Sequence, residues 1–220
     1  VAIAYDSRIN SRLFAETTAG VFVANGIRVH IYPRLMPTPS LSFAVRDLRS
    51  CGGVVITASH NPAKYNGYKV YGADGCQITT EAAAAIQQEI DRIDPFADVH
   101  TLDFAEGLAS GIIAYIGEDT VERYLAAVSA ASLLPESFSR SASIVYTPLN
   151  GTGISCVPRC LRAHGFTNIT IPPEQAEPDG NFPTCPYPNP EIREALSVGL
   201  RMAEETCSEL LLATDPDCDR

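Results

Sequence analysis

Thr57-Ala58-Ser59-His60-Asn61-Pro62 sets a hydroxyl directly after the apolar run Gly53-Val54-Val55-Ile56. A serine hydroxyl is a weak nucleophile until a base takes its proton or a cation stabilises its oxyanion. His60 stands beside Ser59, and Lys69 follows ten residues on. Near the other end, Asp215-Pro216-Asp217-Cys218-Asp219-Arg220 offers three carboxylates and a guanidinium. Carboxylates at alternate positions repel one another unless a divalent cation holds them. An EF-hand loop matches poorly, because Arg220 occupies the place where the calcium loop needs glycine. Magnesium with a phosphate oxygen completing its shell is the better chemical match. A nucleophile loop and a hard-cation site together are what phosphoryl transfer requires.

Each of these residues has a plainer explanation. A serine in a polar turn is ordinarily a turn residue, but that account leaves His60, Asn61 and Lys69 unexplained. The three aspartates could form a solvated acidic turn. Asn150-Gly151-Thr152-Gly153 could cradle an anion, yet it is neither a Walker loop nor a dinucleotide fingerprint and reads as structural. His30, His100 and His164 lack metal-ligand spacing and read as packing or surface residues. Asp6 and Arg8 could orient a phosphate; a local salt bridge is the simpler assignment.

The elements that must position these groups follow from pattern. Val1 to Tyr5 reads as a strand, and Ser11 to Ala24 as a helix ending at Asn25-Gly26. Ile27 to Tyr32 is a second strand, and Thr38-Pro39 supplies a cap and first-turn proline for a helix to about Arg49. Gly53 to Thr57 is the third strand, so short joins predict parallel strands linked by right-handed crossovers. Ligands of such sheets bind beyond the carboxyl ends of the strands, where Ser59 lies. A turn at Tyr65 to Tyr68 folds Lys69 back toward Ser59, and an alanine-rich helix from Thr80 to Ile93 is expected to cover the sheet. Residues 94–117 are mixed, with Ile112 to Ile116 a candidate strand, and a domain boundary is placed after 117.

In the second half, Asp119 to Ala131 reads as a helix with an Asp119 and Glu122 capping box. Pro135 to Ser141 is a loop and Ala142 to Thr147 a strand that runs into the glycine-bearing turn. A helix from about Val157 to His164, a strand from Asn168 to Ile171 and a long surface loop without regular structure from Pro172 to Pro190 follow. Asn189-Pro190 caps a helix with Ile192, Ala195, Leu196, Leu200 and Ala203 on one face. Leu210 to Ala213 is a buried-type strand that delivers the aspartates. The expected fold class is α/β, as two consecutive α/β domains with mainly parallel, mixed sheets.

Composition excludes several function classes. A formal net charge of −10 without a concentrated basic block argues against a nucleic-acid surface. Seven cysteines without a CxxC pair do not make a disulfide framework or zinc ribbon, so a reducing cytoplasm is expected. No apolar run approaches the roughly 20 residues of a membrane span, so no membrane partner is expected. The chain begins within a strand pattern and ends on a polar loop, and it reads as a piece of a longer enzyme.

Thr57-Ala58-Ser59-His60-Asn61-Pro62 with Tyr65-Asn66-Gly67-Tyr68-Lys69 resembles the phosphoserine loop of the α-D-phosphohexomutases. Asp215 to Arg220 resembles that family's metal loop, and Asn150 to Gly153 and Pro178 to Pro183 also match in order. Tyr5-Asp6-Ser7-Arg8 and Tyr68 to Gly72 resemble the phosphoglucomutase and phosphopentomutase branch more than the phosphomannomutase one. The resemblance implies that Ser59 is carried as phosphoserine and that Asp215, Asp217 and Asp219 bind Mg²⁺ with one oxygen of that phosphate. Arg220 would add fixed positive charge, and Lys69 would be the general acid or base, with His60 as runner-up. Phosphoserine would donate to a sugar monophosphate, the bisphosphate would reorient, and the other phosphate would return to serine, with glucose 1,6-bisphosphate as activator. The family's third and fourth domains, which select the sugar and bind its phosphate, are absent, so this chain alone is expected to be nearly inactive. The rivals are a phosphopentomutase or phosphomannomutase, a metal-dependent phosphatase or kinase with Asp215 as nucleophile, and a non-catalytic fragment.

Overall fold

The computed structural model describes residues 1–135 and 137–220. The first strand, β1, spans Ala2–Tyr5, and helix α1 spans Ser11–Ala24. Strand β2 (Val29–Ile31), helix α2 (Thr38–Asp47) and strand β3 (Gly52–Ile56) complete the crossovers. Strand β4 (Tyr68–Gly72) returns antiparallel to β3, with Lys69 opposite Val55. Helices α3 (Thr80–Ile90) and α4 (Phe104–Ser110) precede β5 (Ile113–Tyr115), which pairs parallel with β2. The sheet order is β4-β3-β1-β2-β5.

Both faces of this sheet are buried, which is why β1 and β3 read as continuous apolar runs. Ala2, Ala4 and Val55 face α2, packing with Leu41, Ala44 and Val45. Ile3, Tyr5, Val54 and Ile56 face the other way, against Ala15, Ala19 and Val23 of α1. Burial of one such aliphatic side chain contributes about 1.5–3 kcal/mol, so the strand ends that carry the loops are anchored.

Helix α5 (Glu118–Ala130) bridges the halves: Val121 and Leu125 join the α2 cluster, which also contains Cys156. Strand β6 (Ile144–Thr147) then enters a short 3₁₀ turn, Thr152–Ser155, before helix α6 (Val157–Ala163). Strand β7 (Ile169–Thr170), the one-turn helix α7 (Pro173–Ala176), helix α8 (Ser197–Glu205) and strand β8 (Leu210–Ala213) follow. The second sheet is parallel, in the order β7-β6-β8. No helix among the described residues is long and apolar enough to cross a membrane.

Several local expectations are corrected. Helix α3 exists but buries no residue, so it does not cover the sheet. Thr38 is the first helical residue rather than the cap of α2, and its hydroxyl is used elsewhere. No side chain caps α5: Gly117 takes that position, and Asp119 pairs with Arg123 instead of forming a capping box. The segment after Asn189 begins as a 3₁₀ turn, Arg193–Leu196, and becomes α-helical only at Ser197. One helical turn, α7, interrupts the stretch expected to be an irregular surface loop, and Gln175, Phe182 and Cys185 within it are buried. Strand β8 is an edge, with Leu210 and Leu212 partly exposed, rather than a buried strand. The loop expected over 135–141 includes Glu136, which lies outside the described residues.

Candidate functional site

Strand β3 stops at Ile56, and the chain turns so sharply that Ser59 adopts a left-handed backbone, φ 52°. A non-glycine residue there costs of order 1–3 kcal/mol and persists only where its surroundings over-determine it. Thr57 Oγ1 accepts from the Ser59 amide at 2.9 Å. Behind the loop, the buried Arg8 donates from both terminal nitrogens to the carbonyls of Ser59, Asn61, Pro62 and Tyr65. The Ser59 hydroxyl thereby points out of the loop. It donates to Asp215 Oδ2 at 2.9 Å, across 156 positions of sequence, and lies 3.2 Å from His60 Nδ1.

The aspartate loop is moulded differently, mostly by backbone. Thr152 donates from its amide at 2.8 Å and its hydroxyl at 3.0 Å to the Pro216 carbonyl. A Cβ on Gly151 would stand 2.5 Å from Pro216 Cα, so only glycine lets the two chains approach this closely. The turn Asn150 to Gly153 thus supports the acidic loop. Thr38, at the start of α2, donates its amide to the Asp217 carbonyl and its hydroxyl to Asp217 Oδ2, each at 2.8 Å. Asp215 Oδ1 accepts from the amides of Asp219 and Arg220.

Asp215, Asp217 and Asp219 each offer an oxygen within 4.8 Å of the others. Asp215 and Asp217 are fully buried, and Asp217 Oδ1 has no hydrogen-bond partner. A buried, unsatisfied carboxylate oxygen aimed at two further carboxylates fits a divalent cation of oxygen preference. Lys69 Nζ lies 2.8 Å from Asp217 Oδ2 and 3.1 Å from Asp219 Oδ2.

The electrostatics separate these groups. Burial, reinforced by the charges of Asp217 and Asp219, pushes the Asp215 carboxyl up to about 7. Burial acts against charge on Asp217 too, but the Lys69 ammonium and the Thr38 hydroxyl hold it below the ordinary carboxylate range. For Lys69, burial pulls its pKa down, and the facing Asp217 and Asp219 outweigh burial and raise it. With both carboxylates facing it, Lys69 holds its proton at neutral pH.

Ser59, His60, Lys69 and the three aspartates therefore share one cleft. Arg220 is less central: among the described residues its guanidinium pairs with Glu191, at 3.1 Å. Asp6 and Arg8 do form the local ion pair expected of them, at 3.4 Å. Thr38 was missed because a Thr-Pro pair at a helix start looks like a cap. Its partner lies 179 positions away, which no local pattern reveals.

Family models match both halves of the chain: the phosphoglucomutase/phosphomannomutase alpha/beta/alpha domain I over residues 1–96 and domain II over residues 122–220. The chain belongs to the phosphoglucomutase/phosphomannomutase family. It is 38% identical over 220 residues to a phosphoglucomutase of Staphylococcus saprophyticus, covering 100% of this chain and 40% of that protein. It is likewise 38% identical over 232 residues to a phosphoribomutase of Saccharomyces cerevisiae, covering 99% of this chain and 37% of that one. A solved structure from Thermus thermophilus whose name carries phosphomannomutase superimposes with a TM-score of 0.83 at 28% identity, over 100% of this chain and 46% of that one. The chain thus spans about 40% of the length of the curated relatives it matches.

Proposed function

We propose that this chain supplies the phosphate-carrying and cation-binding loops of a phosphohexomutase, which moves phosphate between the 1- and 6-positions of a hexose, with glucose 1-phosphate and glucose 6-phosphate as the pair. One observation carries this reading: the Ser59 hydroxyl meets Asp215 at 2.9 Å where three carboxylates converge. Ser59 carries the phosphoryl group as phosphoserine. Asp215, Asp217 and Asp219 would hold Mg²⁺, which when bound supplies charge neutralisation at the transferred phosphoryl group. Lys69, protonated beside the carboxylates, is suited to deliver a proton as an alkoxide forms, and His60, 3.2 Å from the hydroxyl, is the alternative. Arg220 would need to leave Glu191 to contribute its charge to the phosphate.

Glucose 1,6-bisphosphate is the expected phosphate donor to Ser59. Sugar selection and capture of the distal phosphate are assigned to polypeptide beyond these two units, which we divide at residue 117. Positioning provides a large share of the rate in phosphoryl transfer, so residues 1–220 alone are expected to turn over poorly. Seven free cysteines suit a reducing cytoplasm. A pentose phosphate is a second reading, favoured by the equal 38% identity to the relative named phosphoribomutase.

The test is phosphopeptide mapping of the complete polypeptide after incubation with glucose 1,6-bisphosphate and Mg²⁺. Phosphate on the peptide bearing Ser59 supports the reading. Acid-labile phosphate on Asp215 would replace it with a phosphatase-like aspartyl chemistry. The ratio of kcat/KM for glucose 1-phosphate and ribose 1-phosphate decides between hexose and pentose.

A further inference from the structure

Arg8 carries a charge that the phosphate chemistry above does not use. Its side chain is fully buried beyond the end of β1. One terminal nitrogen donates to the Pro62 carbonyl at 3.0 Å and the Tyr65 carbonyl at 2.9 Å. The other donates to the Ser59 carbonyl at 2.6 Å and to that of Asn61. The guanidinium is planar with its N–H groups in a fixed fork, so one rigid group gathers four carbonyls of one loop. Its carbon lies 5.1 Å from the centre of the Phe182 ring, which comes from the second half of the chain. Two residues before Phe182, a Cβ on Gly180 would stand 2.6 Å from the Ile9 amide, so that loop rests directly on the Arg8 backbone. Asp6 completes the socket: Oδ1 accepts from the Arg8 amide at 2.9 Å and the Ser11 hydroxyl at 2.7 Å, and Oδ2 lies 3.4 Å from Arg8 Nε.

An arginine that binds substrate phosphate must keep donors free for it. Here all four terminal N–H groups go to backbone oxygens of the loop that bends through the left-handed Ser59. We propose that Arg8 is the positioning residue of the nucleophile: its fork fixes the 59–65 backbone, aims the Ser59 hydroxyl at Asp215, and presents the cationic face on which Phe182 seats the second unit. The inference rests on Ser59 being the phosphate carrier. Lysine keeps the charge but is a point donor with three N–H groups, too few to give each of the four carbonyls its own donor.

The experiment compares Arg8→Lys and Phe182→Leu with wild type in the complete polypeptide. For Arg8→Lys, kcat and the single-turnover rate of phosphate transfer from glucose 1,6-bisphosphate to Ser59 should each fall about 100-fold, as expected for an ångström-scale misplacement. KM for glucose 1-phosphate should stay within about twofold, because no substrate contact is lost. Amide hydrogen exchange over residues 58–66 should quicken about tenfold, with β1 and β3 unchanged. Phe182→Leu should give a smaller loss of the same kind, in kcat and not in KM. A folded Arg8→Lys protein with wild-type kcat overturns the proposal, as does a loss borne by KM, which would make Arg8 a substrate ligand. If Arg8→Lys does not fold, Phe182→Leu decides on the same two criteria. Wild-type protein that takes phosphate elsewhere than Ser59 refutes the proposed function instead, and the exchange rates over 58–66 still report on the fork.

Discussion

The two loops that meet in the cleft are held by opposite means. The Ser59 loop follows β3 in a sheet buried on both faces, and a single side chain, Arg8, ties down its carbonyls. The aspartate loop follows β8, the partly exposed edge of a smaller sheet, and is held mainly by backbone fitted against backbone at Gly151, Thr152 and Thr38. The serine loop stores a strained conformation that exposes one hydroxyl. The aspartate loop instead buries two carboxylates and leaves one oxygen of Asp217 unsatisfied. A nucleophile needs freedom at its tip and rigidity behind it, whereas a cation site needs several ligands pre-set at once, and the two kinds of support follow from that difference.

Removing the tip of the serine loop should have the largest effect. Ser59→Ala in the complete polypeptide should lower mutase kcat at least about 1,000-fold with little loss of stability, measured by coupled assay and thermal melting. On the aspartate side, Thr38→Val should leave the serine loop intact but weaken Mg²⁺ affinity about 10- to 100-fold, the usual cost of losing a partner that orients a ligand. Isothermal titration would check it, and an unchanged affinity would show that Asp217 is oriented by Lys69 alone. Gly151→Ala should act on the same loop through stability, costing about 1–3 kcal/mol from overpacking against Pro216. Denaturant unfolding reads that loss, and a neutral result would mean the backbone match is not what shapes the loop.

A subtler distinction concerns pH. In cation-free protein the Asp215 carboxyl is raised to about 7 by burial and its charged neighbours, against 3.8 when unperturbed. The folded state then binds a proton the unfolded state has lost, so stability should fall as pH rises from about 4 to about 7. Asp217, shifted the other way, contributes stability that is lost only below its ordinary range, as pH falls through its lowered folded value. Saturating Mg²⁺ should flatten the slope between pH 4 and 7. Urea midpoints with and without the ion measure this, and a slope unaffected by Mg²⁺ would count against a shared cation site.

Much of this was legible in the sequence where a signal is local. The apolar runs of β1 and β3, the periodicity of α1 and the turn formers after Ile56 place Ser59 at a strand end without any coordinates. The alternating aspartates read as a cation loop for the same reason. Helix α3 was misjudged because an alanine-rich pattern shows that a helix can form, not what it packs on. Thr38 and Gly180 were not legible as site-building residues, and Arg8 was legible only as a phosphate-orienting or ion-pairing candidate, since each acts through a partner far away in sequence. Lys69 stands out in the sequence as a candidate, but its lifted affinity for protons follows from two carboxylates that only the fold brings to it.

In the proposed function, Ser59 and the three aspartates serve one ion. The direct measurement is the ³¹P resonance of phosphorylated complete polypeptide titrated with Mn²⁺ in place of Mg²⁺. With a shared ion, one equivalent of Mn²⁺ broadens the phosphoserine signal beyond detection, and Asp217→Asn restores a sharp line. A phosphoserine line that stays sharp with Mn²⁺ bound to the aspartates would contradict it.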